Sequence, residues 1–471
     1  MTTATLPPGP STPHFVQMAY ALTAPRRGMH RLRDRYGDAF TVTLPIFGRA
    51  VVVSGAAEIK QLFLTRTDVA DNLEPNLGRI LGPGSFFALT GEEHRRQRKL
   101  LVPPFHGRRL AAYETVVESE TMRELASWPH GRPFATLPSM MRITLNVILR
   151  AVFGAEGAEF AQLRELLPAM VTLGSRLALV PVPTVDWGRL SPWGRFWMMR
   201  REYDAVVERL ITKAEQDDHL DERDDILAMM VQSRYDDGSS MSHRDVADQL
   251  LTLLSAGHET TATTLAWTIE RIRRHPTVLR DLVEEVDAGG RALRDATITE
   301  VQRTRPVIDM VGRQVKTDSL RLGRWTIPKG YVIMVSIALI HDDETIFPNA
   351  RAFDPSRFRD AKPDLYRWIP FGGGTRRCLG AAFATMEMDV VLRTLLRDLT
   401  LVPTDEPDER WHSRGVASAP AKGGRAVVGR RTPQRRSSTA GWNAAGHASS
   451  SARTRTVSTP SPGSHPRTTT L

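Results

Sequence analysis

The chain has one cysteine, Cys378, at the end of the glycine-rich segment Phe371–Gly380 and directly before a predicted helix. One cysteine excludes an internal disulfide framework and any iron–sulfur cluster held by several cysteines of this chain. Three successive glycines, Gly372–Gly374, can take positive φ angles and let the backbone approach a ligand closely. The N–H groups at the helix start, together with Arg376 and Arg377, favour a thiolate. A soft anionic sulfur in such a loop suits an iron centre, whereas a lone cysteine is otherwise usually an inert buried thiol.

A second segment, Ala256–Thr261, lies inside a long predicted helix. A helix-interior glycine followed by threonines, whose hydroxyls can bond back to carbonyls, allows a local groove beside the backbone. The acid and hydroxyl of Glu259 and Thr260 can relay protons into that groove. Without further context the same residues also fit a threonine-rich buried helix with one stray acid. A zinc-protease motif is excluded, because the second histidine after His258 would have to stand at Ala262.

Two pairs of polar residues have helical spacing. Glu300 and Arg303 stand three residues apart, which by itself indicates a surface ion pair of well under about 1 kcal/mol. His94 and Arg98 stand four apart in the basic segment Gly91–Arg98, which by itself indicates a solvated helix start.

Helical periodicity dominates from Ala56 onward, so the predicted fold class is mainly α with a minor β-sheet region. Apolar spacing, with a capping box at Ser242 and Asp245, predicts the helices Arg109–Trp128, Pro192–Glu215, Arg223–Ser233, Ser242–Arg273 and Ala381–Leu396. Runs of β-branched residues predict strands at Ala39–Ile46, Ala50–Ser54 and Tyr331–Ile337, the first two as a hairpin. No linker or repeat interrupts residues 13–410, which favours one large catalytic domain over 1–430 that includes a Pro-rich start at 1–12.

The net charge of +10 comes entirely from the C-terminal part of the chain. From Trp411 to Leu471 there are ten Lys and Arg and no acid, which leaves 53 basic and 53 acidic residues in 1–410. The chain as a whole is therefore not predicted to bind nucleic acid. In Thr432–Leu471, 28 of 40 residues are Ser, Thr, Ala, Pro or Gly, too polar to offset the entropy of ordering. We predict a basic, disordered tail over 431–471, either an inert extension or an electrostatic arm for a polyanion or membrane.

Targeting signals are not evident. The N-terminus lacks a basic region followed by an apolar run, so no secretory signal is predicted. No apolar stretch approaches the roughly 18 residues of a membrane-spanning helix. With the single cysteine, this predicts a cytoplasmic protein without a transmembrane anchor.

The cysteine segment resembles the haem-thiolate signature of the cytochrome P-450 family, F-x-x-G-x-R-x-C-x-G. The matching residues are Phe371, Gly374, Arg376, Cys378 and Gly380. The resemblance, to members of the soluble bacterial type, implies a P-450 fold in which Cys378 is the axial ligand of the haem iron. It also implies that Arg376 pairs with a haem propionate and that Phe371 packs near the sulfur.

Two of the other motifs follow the family's order and spacing. By resemblance, Glu259 and Thr260 are the acid–alcohol pair that delivers protons to iron-bound oxygen. Glu300 and Arg303 would join a later arginine, Arg357, in a structural triad that fixes the haem-binding core.

The remaining matches concern the propionates of the haem. His94 and Arg98 occupy the two propionate-contacting positions of the family's basic helix, and Arg313 occupies another on a strand that borders the haem. The resemblance extends over about residues 38–428 and leaves the tail outside.

The resemblance implies a monooxygenase that contains haem b and inserts one oxygen atom from O2 into an apolar organic substrate, such as a lipid, steroid or terpenoid. No dinucleotide-binding motif, P-loop or cluster-binding cysteines are present, so electrons are expected from a separate ferredoxin and NAD(P)H-dependent reductase. Arg95, Arg96, Lys99 and Arg377 can form a basic docking face for the acidic partner, or an ordinary solvated surface. The alternatives are a peroxide-using or rearranging haem-thiolate enzyme, and a non-catalytic haem sensor or carrier.

Overall fold

The computed structural model describes residues 5–431 except 14, 18–24, 45, 75, 106, 155–156 and 184–187. Helices predominate in this part of the chain. They are α1 (Pro25–Tyr36), α2 (Ala56–Leu64), α3 (Gly78–Leu81), α4 (Gly91–Leu101), α5 (Arg108–Leu125), α6 (Leu137–Phe153), α7 (Ala158–Leu177), α8 (Pro192–Glu215), α9 (Ile226–Gln232), α10 (His243–Arg273), α11 (Pro276–Asp287), α12 (Ala292–Thr304), α13 (Ile337–His341) and α14 (Ala381–Asp398).

The strands form one five-stranded sheet and several two-stranded ones. They are β1 (Ala39–Leu44), β2 (Gly48–Val53), β3 (Ala70–Asp71), β4 (Phe134–Ala135), β5 (Met310–Val315), β6 (Ser319–Leu322), β7 (Trp325–Pro328), β8 (Val332–Ser336), β9 (Leu399–Leu401), β10 (Trp411–Ser413), β11 (Ser418–Pro420), β12 (Arg425–Ala426) and β13 (Val428–Arg430). The large sheet has the order β1-β2-β8-β5-β3, with β2 and β8 parallel and the other neighbours antiparallel. The two-stranded sheets pair β6 with β7, β9 with β13, β10 with β11 and β4 with β12. The prediction of a mainly α fold with a minor sheet is confirmed.

The central helix α10 follows the predicted course. The hydroxyl of Ser242 accepts the backbone N–H of Asp245 at its start, as the capping box requires. It runs for 31 residues and is buried on most of its circumference, packing most extensively on α6 and also on α8, α12 and α14. A helix surrounded in this way carries apolar residues on nearly all sides. The segment Ala256–Thr261 therefore lies in the middle of the molecule.

Helix α8 covers the predicted residues Pro192–Glu215, whereas other predicted elements shift by a few residues for local reasons. The hairpin pairs Ala39 with Val53 and Leu44 with Gly48, so its second strand begins before Ala50. The helix predicted from Arg223 starts three residues later, because Asp225 accepts the N–H of Ala228 as an N-cap.

Packing divides the described residues into a large helical core and two smaller clusters on the faces of the sheet. The segment that contains Cys378 leads into α14, which packs against α5, α10, α11 and α12. None of the described helices is both long and apolar enough to cross a membrane. The disorder predicted for 431–471 falls on residues that, from 432 onward, lie outside the described part.

Candidate active site

The segment Phe371–Gly380 folds as a tight loop closed by its own backbone. The N–H of Cys378 donates to the carbonyl of Phe371 at 2.9 Å, and the N–H of Arg377 donates to the carbonyl of Gly374 at 3.1 Å. Gly372 and Gly374 both take φ of +65°, a conformation that favours glycine. The loop thus holds the cysteine at a fixed place before α14.

The loop also lies against α2 too closely for side chains. A Cβ on Gly373 would stand 2.1 Å from the ring of Phe63, and one on Gly374 would stand 2.2 Å from the Phe63 carbonyl oxygen. The successive glycines therefore meet two demands, a positive φ and a close helix contact. The sequence indicated close approach to a ligand, whereas within the chain the close neighbour is Phe63.

The thiol of Cys378 is accessible, yet protein surrounds it closely enough to change its titration. Burial raises its pKa, while the N–H of Gly380 and the charges of Arg377 and Arg98 lower it. The donors and cations that the sequence places at the thiol lower its pKa as expected, and burial opposes them. A bound metal ion would also favour the thiolate, because coordination deprotonates a thiol.

Positively charged side chains gather on one side of the cysteine loop. Arg313 is buried and donates to the carbonyls of Gly312 and Gly373 at 2.8 and 3.1 Å, and Arg98 donates to the carbonyl of Arg377 at 2.9 Å. Neither guanidinium has an ion-pair partner among the described residues. Burial, and then Arg376, lower the pKa of Arg313 to about 10. The fold thus holds two partly or fully buried cations whose hydrogen-bond acceptors among the described residues are all carbonyls.

Arg376 differs from Arg98 and Arg313 because it already forms an ion pair with a carboxylate of the chain. Its guanidinium pairs with Asp71 (Nη2–Oδ1 2.7 Å, Nε–Oδ1 3.0 Å) and donates to the carbonyls of Phe86 and Leu89. Burial raises the pKa of Asp71, but the N–H of Gly91 and Arg376 bring it below its usual value. Sequence reasoning missed Asp71, which stands in no recognisable motif. The role expected for Arg376 at a propionate has to be shared with this carboxylate.

His94 of α4 is fully buried, and neither ring nitrogen has a hydrogen-bond partner among the described residues. Its ring stacks at 39° on Phe86, with 4.2 Å between the centroids. Burial, and then the charges of Arg376 and its neighbours, lower the pKa of His94 to about 3, so the imidazole is neutral. A buried polar ring without partners is rare and indicates a group outside the chain.

The acid and threonine of α10 lie beside an accessible strip on an otherwise buried helix. Leu253, Ala256 and Thr260, spaced three and four apart, are wholly or partly accessible, as are Ser255 and Gly257. Leu254, His258 and Glu259 beside them are buried. The hydroxyl of Thr260 donates to the carbonyl of Ala256 at 2.8 Å, as expected for a threonine in a helix interior. The helix stays α-helical throughout the motif.

The carboxylate of Glu259 is buried and pairs with Arg414, whose Nε lies 2.8 Å from Oε1. Arg414 lies between β10 and β11, 155 residues further along the chain, and its Nη2 is 3.5 Å from the hydroxyl of Thr172 on α7. No sequence motif indicates this partner, because nothing local connects a basic residue near the C-terminus with α10. Its charge belongs to the site.

The Glu300–Arg303 pair is not the surface pair that its spacing alone suggests. Both side chains are fully buried and joined by two 2.7 Å contacts. Arg303 also donates to the carbonyls of His341, Ala350 and Ala352. It thereby ties α12 to α13 and to the segment that follows α13.

Arg357 completes this group at its edge. Its Nε lies 3.7 Å from Oε1 of Glu300, and its Nη2 donates to the carbonyl of Asn349 at 3.0 Å. Burial raises the pKa of Glu300, and Arg303 acts in the opposite direction. The structure brings together the three residues that the resemblance placed in a triad.

The expected docking face on α4 is largely paired with acids of the same chain. Arg95 pairs with Glu92. Arg96 lies 2.6 Å from Asp237, and Lys99 lies 3.2 Å from Asp236. Little positive charge on these side chains remains unpaired.

Comparison with solved structures gives the fold. The retinoic acid-bound cyanobacterial protein CYP120A1 superposes with a TM-score of 0.78 at 22% identity, over 91% of this chain and 100% of that one. The haem domain of cytochrome P-450DA superposes with a TM-score of 0.76 at 20% identity, over 91% and 99%. The chain has the cytochrome P-450 fold.

Sequence comparison gives the family. Residues 7–424 match the model of the family described as Cytochrome P-450. “Putative cytochrome P-450 138” of Mycobacterium tuberculosis is 54% identical over 426 residues, 90% of this chain and 97% of that protein. “Putative cytochrome P-450 135B1” of the same species is 38% identical over 434 residues, 90% and 91%. The chain belongs to the cytochrome P-450 family and is a haem-thiolate monooxygenase.

The residues of the site fit the haem of that family. Haem carries two carboxylates, and Arg98 and Arg313 offer two cations that no carboxylate of the described chain neutralises. The unpartnered ring of buried His94 stands among the same charges. The accessible Cys378 offers a sulfur that could bind the iron of such a group.

Proposed function

We propose that this monooxygenase contains haem b and inserts one oxygen atom from O2 into an apolar organic substrate, with electrons from a separate ferredoxin and NAD(P)H-dependent reductase. The observation that carries the proposal is the accessible strip of α10, where Thr260 lies next to a buried, ion-paired Glu259. When bound, the haem with its thiolate ligand supplies reduction of O2 and oxygen insertion.

We assign the propionates to Arg98, Arg313 and His94, with Arg376 as a weaker contributor. Among the described residues Arg98 and Arg313 have no carboxylate partner, whereas the guanidinium of Arg376 forms an ion pair with Asp71. Cys378 would hold the haem iron through its sulfur, at a place fixed by the backbone of its loop. Phe371 contributes through its carbonyl, which accepts the N–H of the cysteine.

In this proposal protons pass through Thr260 and Glu259, and both side chains already have a partner within the chain. The hydroxyl of Thr260 donates to the Ala256 carbonyl, so it must turn to donate away from the helix, toward the accessible strip. The carboxylate of Glu259 must leave Arg414 before it can pass a proton to that hydroxyl. Proton delivery therefore requires a side-chain rotation of both residues, with Arg414 as the positioning residue for the acid.

The apolar surroundings of His94 and α10 support an apolar substrate. Phe86 stacks on His94, and its N–H donates to the side chain of Gln249 on α10 at 3.2 Å. Its backbone is thus tied to α10 one helical turn before Leu253, and its ring lies against His94 and Arg98. Such surroundings favour a lipid, steroid or terpenoid over a charged molecule.

The carbon monoxide difference spectrum of the reduced protein tests the ligand. We expect the red-shifted band of a thiolate-bound haem in the parent protein and in Thr375→Ser, a conservative change in the same loop. Cys378→Ser should lose that band. A parent protein without it would overturn the assignment of Cys378.

Turnover tests the rest of the proposal. With ferredoxin, reductase and NAD(P)H, Thr260→Ala should consume cofactor with little product, because protons no longer arrive in an ordered way. Undiminished product formation in Thr260→Ala with peroxide alone would favour the peroxide-using alternative. A protein that binds haem but forms no product with any electron donor would be a sensor or carrier.

A further inference from the structure

A short acidic turn, residues 235–239 between α9 and α10, lies against α4. The N–H of Tyr235 donates to the carbonyl of Ser239 at 2.9 Å and closes the turn. The N–H of Ser239 in addition donates to the carboxylate of Asp237 at 2.9 Å. These contacts give the turn a defined shape, with Asp236 and Asp237 at its exposed tip.

Tyr235 fixes one end of the acidic turn to α4. Its hydroxyl accepts the side-chain N–H of Gln97, a buried residue, at 2.6 Å. The guanidinium carbon of Arg96 lies 3.7 Å from the centre of the Tyr235 ring, the geometry of a cation–π contact. The base of the turn is therefore anchored on a buried side chain of α4.

The two acids at the tip instead form exposed ion pairs with α4. Oδ2 of Asp237 lies 2.6 Å from Nη2 of Arg96. Oδ1 of Asp236 lies 3.2 Å from Nζ of Lys99. The side chains of Asp237 and Asp236 are 59% and 87% exposed, and ion pairs this open to water contribute little to stability. The tip can therefore leave α4 at small cost while Tyr235 stays in place.

The same helix adjoins the cysteine loop. Arg98 of α4 donates to the carbonyl of Arg377, the neighbour of Cys378, at 2.9 Å. A protein that passes electrons to a haem held by Cys378 is therefore expected to approach α4, and an acidic ferredoxin needs cations there. In the free protein the acidic turn already neutralises Arg96 and Lys99.

We propose that an acidic ferredoxin docks on α4 by displacing Asp236 and Asp237 and contacting the cations of α4 with carboxylates of its own. One set of exposed ion pairs replaces another, so an acidic partner loses little by uncovering these cations. A neutral protein gains nothing from them, and the turn thereby discriminates against it. The displacement rests on the proposed function, because it takes the electron donor to be an acidic ferredoxin.

The test is calorimetric binding of a strongly acidic [2Fe–2S] ferredoxin to the full-length, haem-loaded ferric protein. Asp236→Asn/Asp237→Asn should bind it about tenfold more tightly than wild type at low ionic strength, because Arg96 and Lys99 are no longer covered. In about 0.5 M salt, which screens exposed charges, the advantage should fall to about twofold or less. Asparagine keeps an acceptor for the N–H groups of the turn, so the turn retains its shape.

Asp318→Asn/Asp405→Asn provides the matched control. Both residues are exposed, and this variant has the same net charge as the turn variant. It should bind the ferredoxin like wild type. The carbon monoxide difference spectra of both variants should match that of wild type, which shows that the haem site is intact.

Two further measurements separate displacement of the turn from a general gain in positive charge. In the Arg96→Gln/Lys99→Gln background, the substitutions at Asp236 and Asp237 should no longer change the affinity, because their partners are gone. When the ferredoxin binds wild type, the backbone amides of residues 236–239 should exchange with deuterium faster, since the tip loses its contacts with α4.

Three results would overturn the displacement: wild-type affinity in the turn variant, an equal gain in the control, or slower amide exchange of the tip on binding. A ferredoxin that bound neither wild type nor the turn variant would overturn it as well. Reduction of the haem by the same ferredoxin and its reductase tests the electron donor separately. Displacement of the turn without haem reduction would support the docking exchange and overturn the ferredoxin as electron donor.

Discussion

The cysteine loop and the acid–threonine segment of α10 reach their active arrangement in opposite ways. In the loop, Cys378 is fixed by hydrogen bonds within eight residues of itself, from its own N–H to Phe371 and from Arg377 to Gly374. In α10, Thr260 bonds locally to Ala256, but Glu259 depends on Arg414, 155 residues away. The residues that fix Cys378 therefore lie in one contiguous motif, whereas the partner of Glu259 reaches α10 only when the chain folds.

This difference explains why a motif can locate a site without defining it. The loop motif includes every residue that closes its backbone. The α10 motif contains the acid but not the cation that balances it in the interior, where an unpaired charge is costly. A buried charge therefore points to a partner elsewhere in the chain.

The largest expected effect comes from the Glu300–Arg303 pair, which combines a local spacing with distant carbonyl partners. Arg303→Met should lower the free energy of unfolding by about 3–5 kcal/mol, because it leaves Glu300 buried without its cation. Urea unfolding monitored by circular dichroism measures it. The exposed pair of Arg280 with Asp281 provides the control, and Arg280→Met should change stability by less than about 1 kcal/mol. Equal losses in the two variants would show that burial of the pair does not matter.

The second prediction tests whether the loop is as self-contained as its hydrogen bonds suggest. Gly373→Ala should cost about 1–3 kcal/mol and reduce haem retention, since the new Cβ would stand 2.1 Å from the Phe63 ring. Gly429→Ala, where no atom lies within 4 Å of the added Cβ, is the matched control. Restored haem retention in Gly373→Ala/Phe63→Leu would locate the clash at that ring. A stable, haem-replete Gly373→Ala would contradict the close contact with α2.

The third prediction addresses the distant half of the site. Arg414→Gln should lower product formation about 100-fold at nearly unchanged oxygen uptake, because Glu259 loses the cation that positions it. Arg414→Lys should recover much of the product yield, since it keeps the charge. The exposed Arg410→Gln serves as control, and the ratio of product to NAD(P)H consumed is the measurement. If Arg414→Gln and Arg414→Lys lost equal amounts of haem as well as activity, Arg414 would be only a structural residue.

The smallest effect concerns pH. Burial, and then Arg303, lower the pKa of His341 to about 3, and its Nε2 accepts the N–H of Ile369 at 2.9 Å. A lowered pKa means that the unfolded chain, with a histidine pKa of about 6.5, binds the proton first as the pH falls. Stability from the neutral ring is thus present above about pH 6.5 and is lost toward pH 3.

The measurement is the difference in unfolding free energy between pH 7 and pH 5. In His341→Asn this difference should shrink by about 2 kcal/mol relative to wild type. His243 provides a contrast of opposite sign, because Glu208 and Glu215 raise its pKa and its contribution is lost as the pH rises. An unchanged pH dependence in His341→Asn would mean that the folded protein accepts the proton there.

Much of the fold and of the local chemistry follows from the sequence. Helix α8 spans the predicted residues Pro192–Glu215, and α10 begins at the predicted cap, because periodicity and capping are local properties. The sequence also predicted that Cys378 precedes a helix, in a loop where the positive φ angles of Gly372 and Gly374 favour glycine. The motif does not show the burial that raises the pKa of this thiol.

The tertiary structure decided which charges meet. It buried the Glu300–Arg303 pair, which the sequence alone would leave at the surface, and it paired Arg376 with Asp71 and Glu259 with Arg414. It also left Arg98 and Arg313 without carboxylates beside the cysteine loop. The physical reason is that backbone conformation depends on neighbours in the chain, whereas the energy of a charge depends on every group that folding brings within a few ångströms.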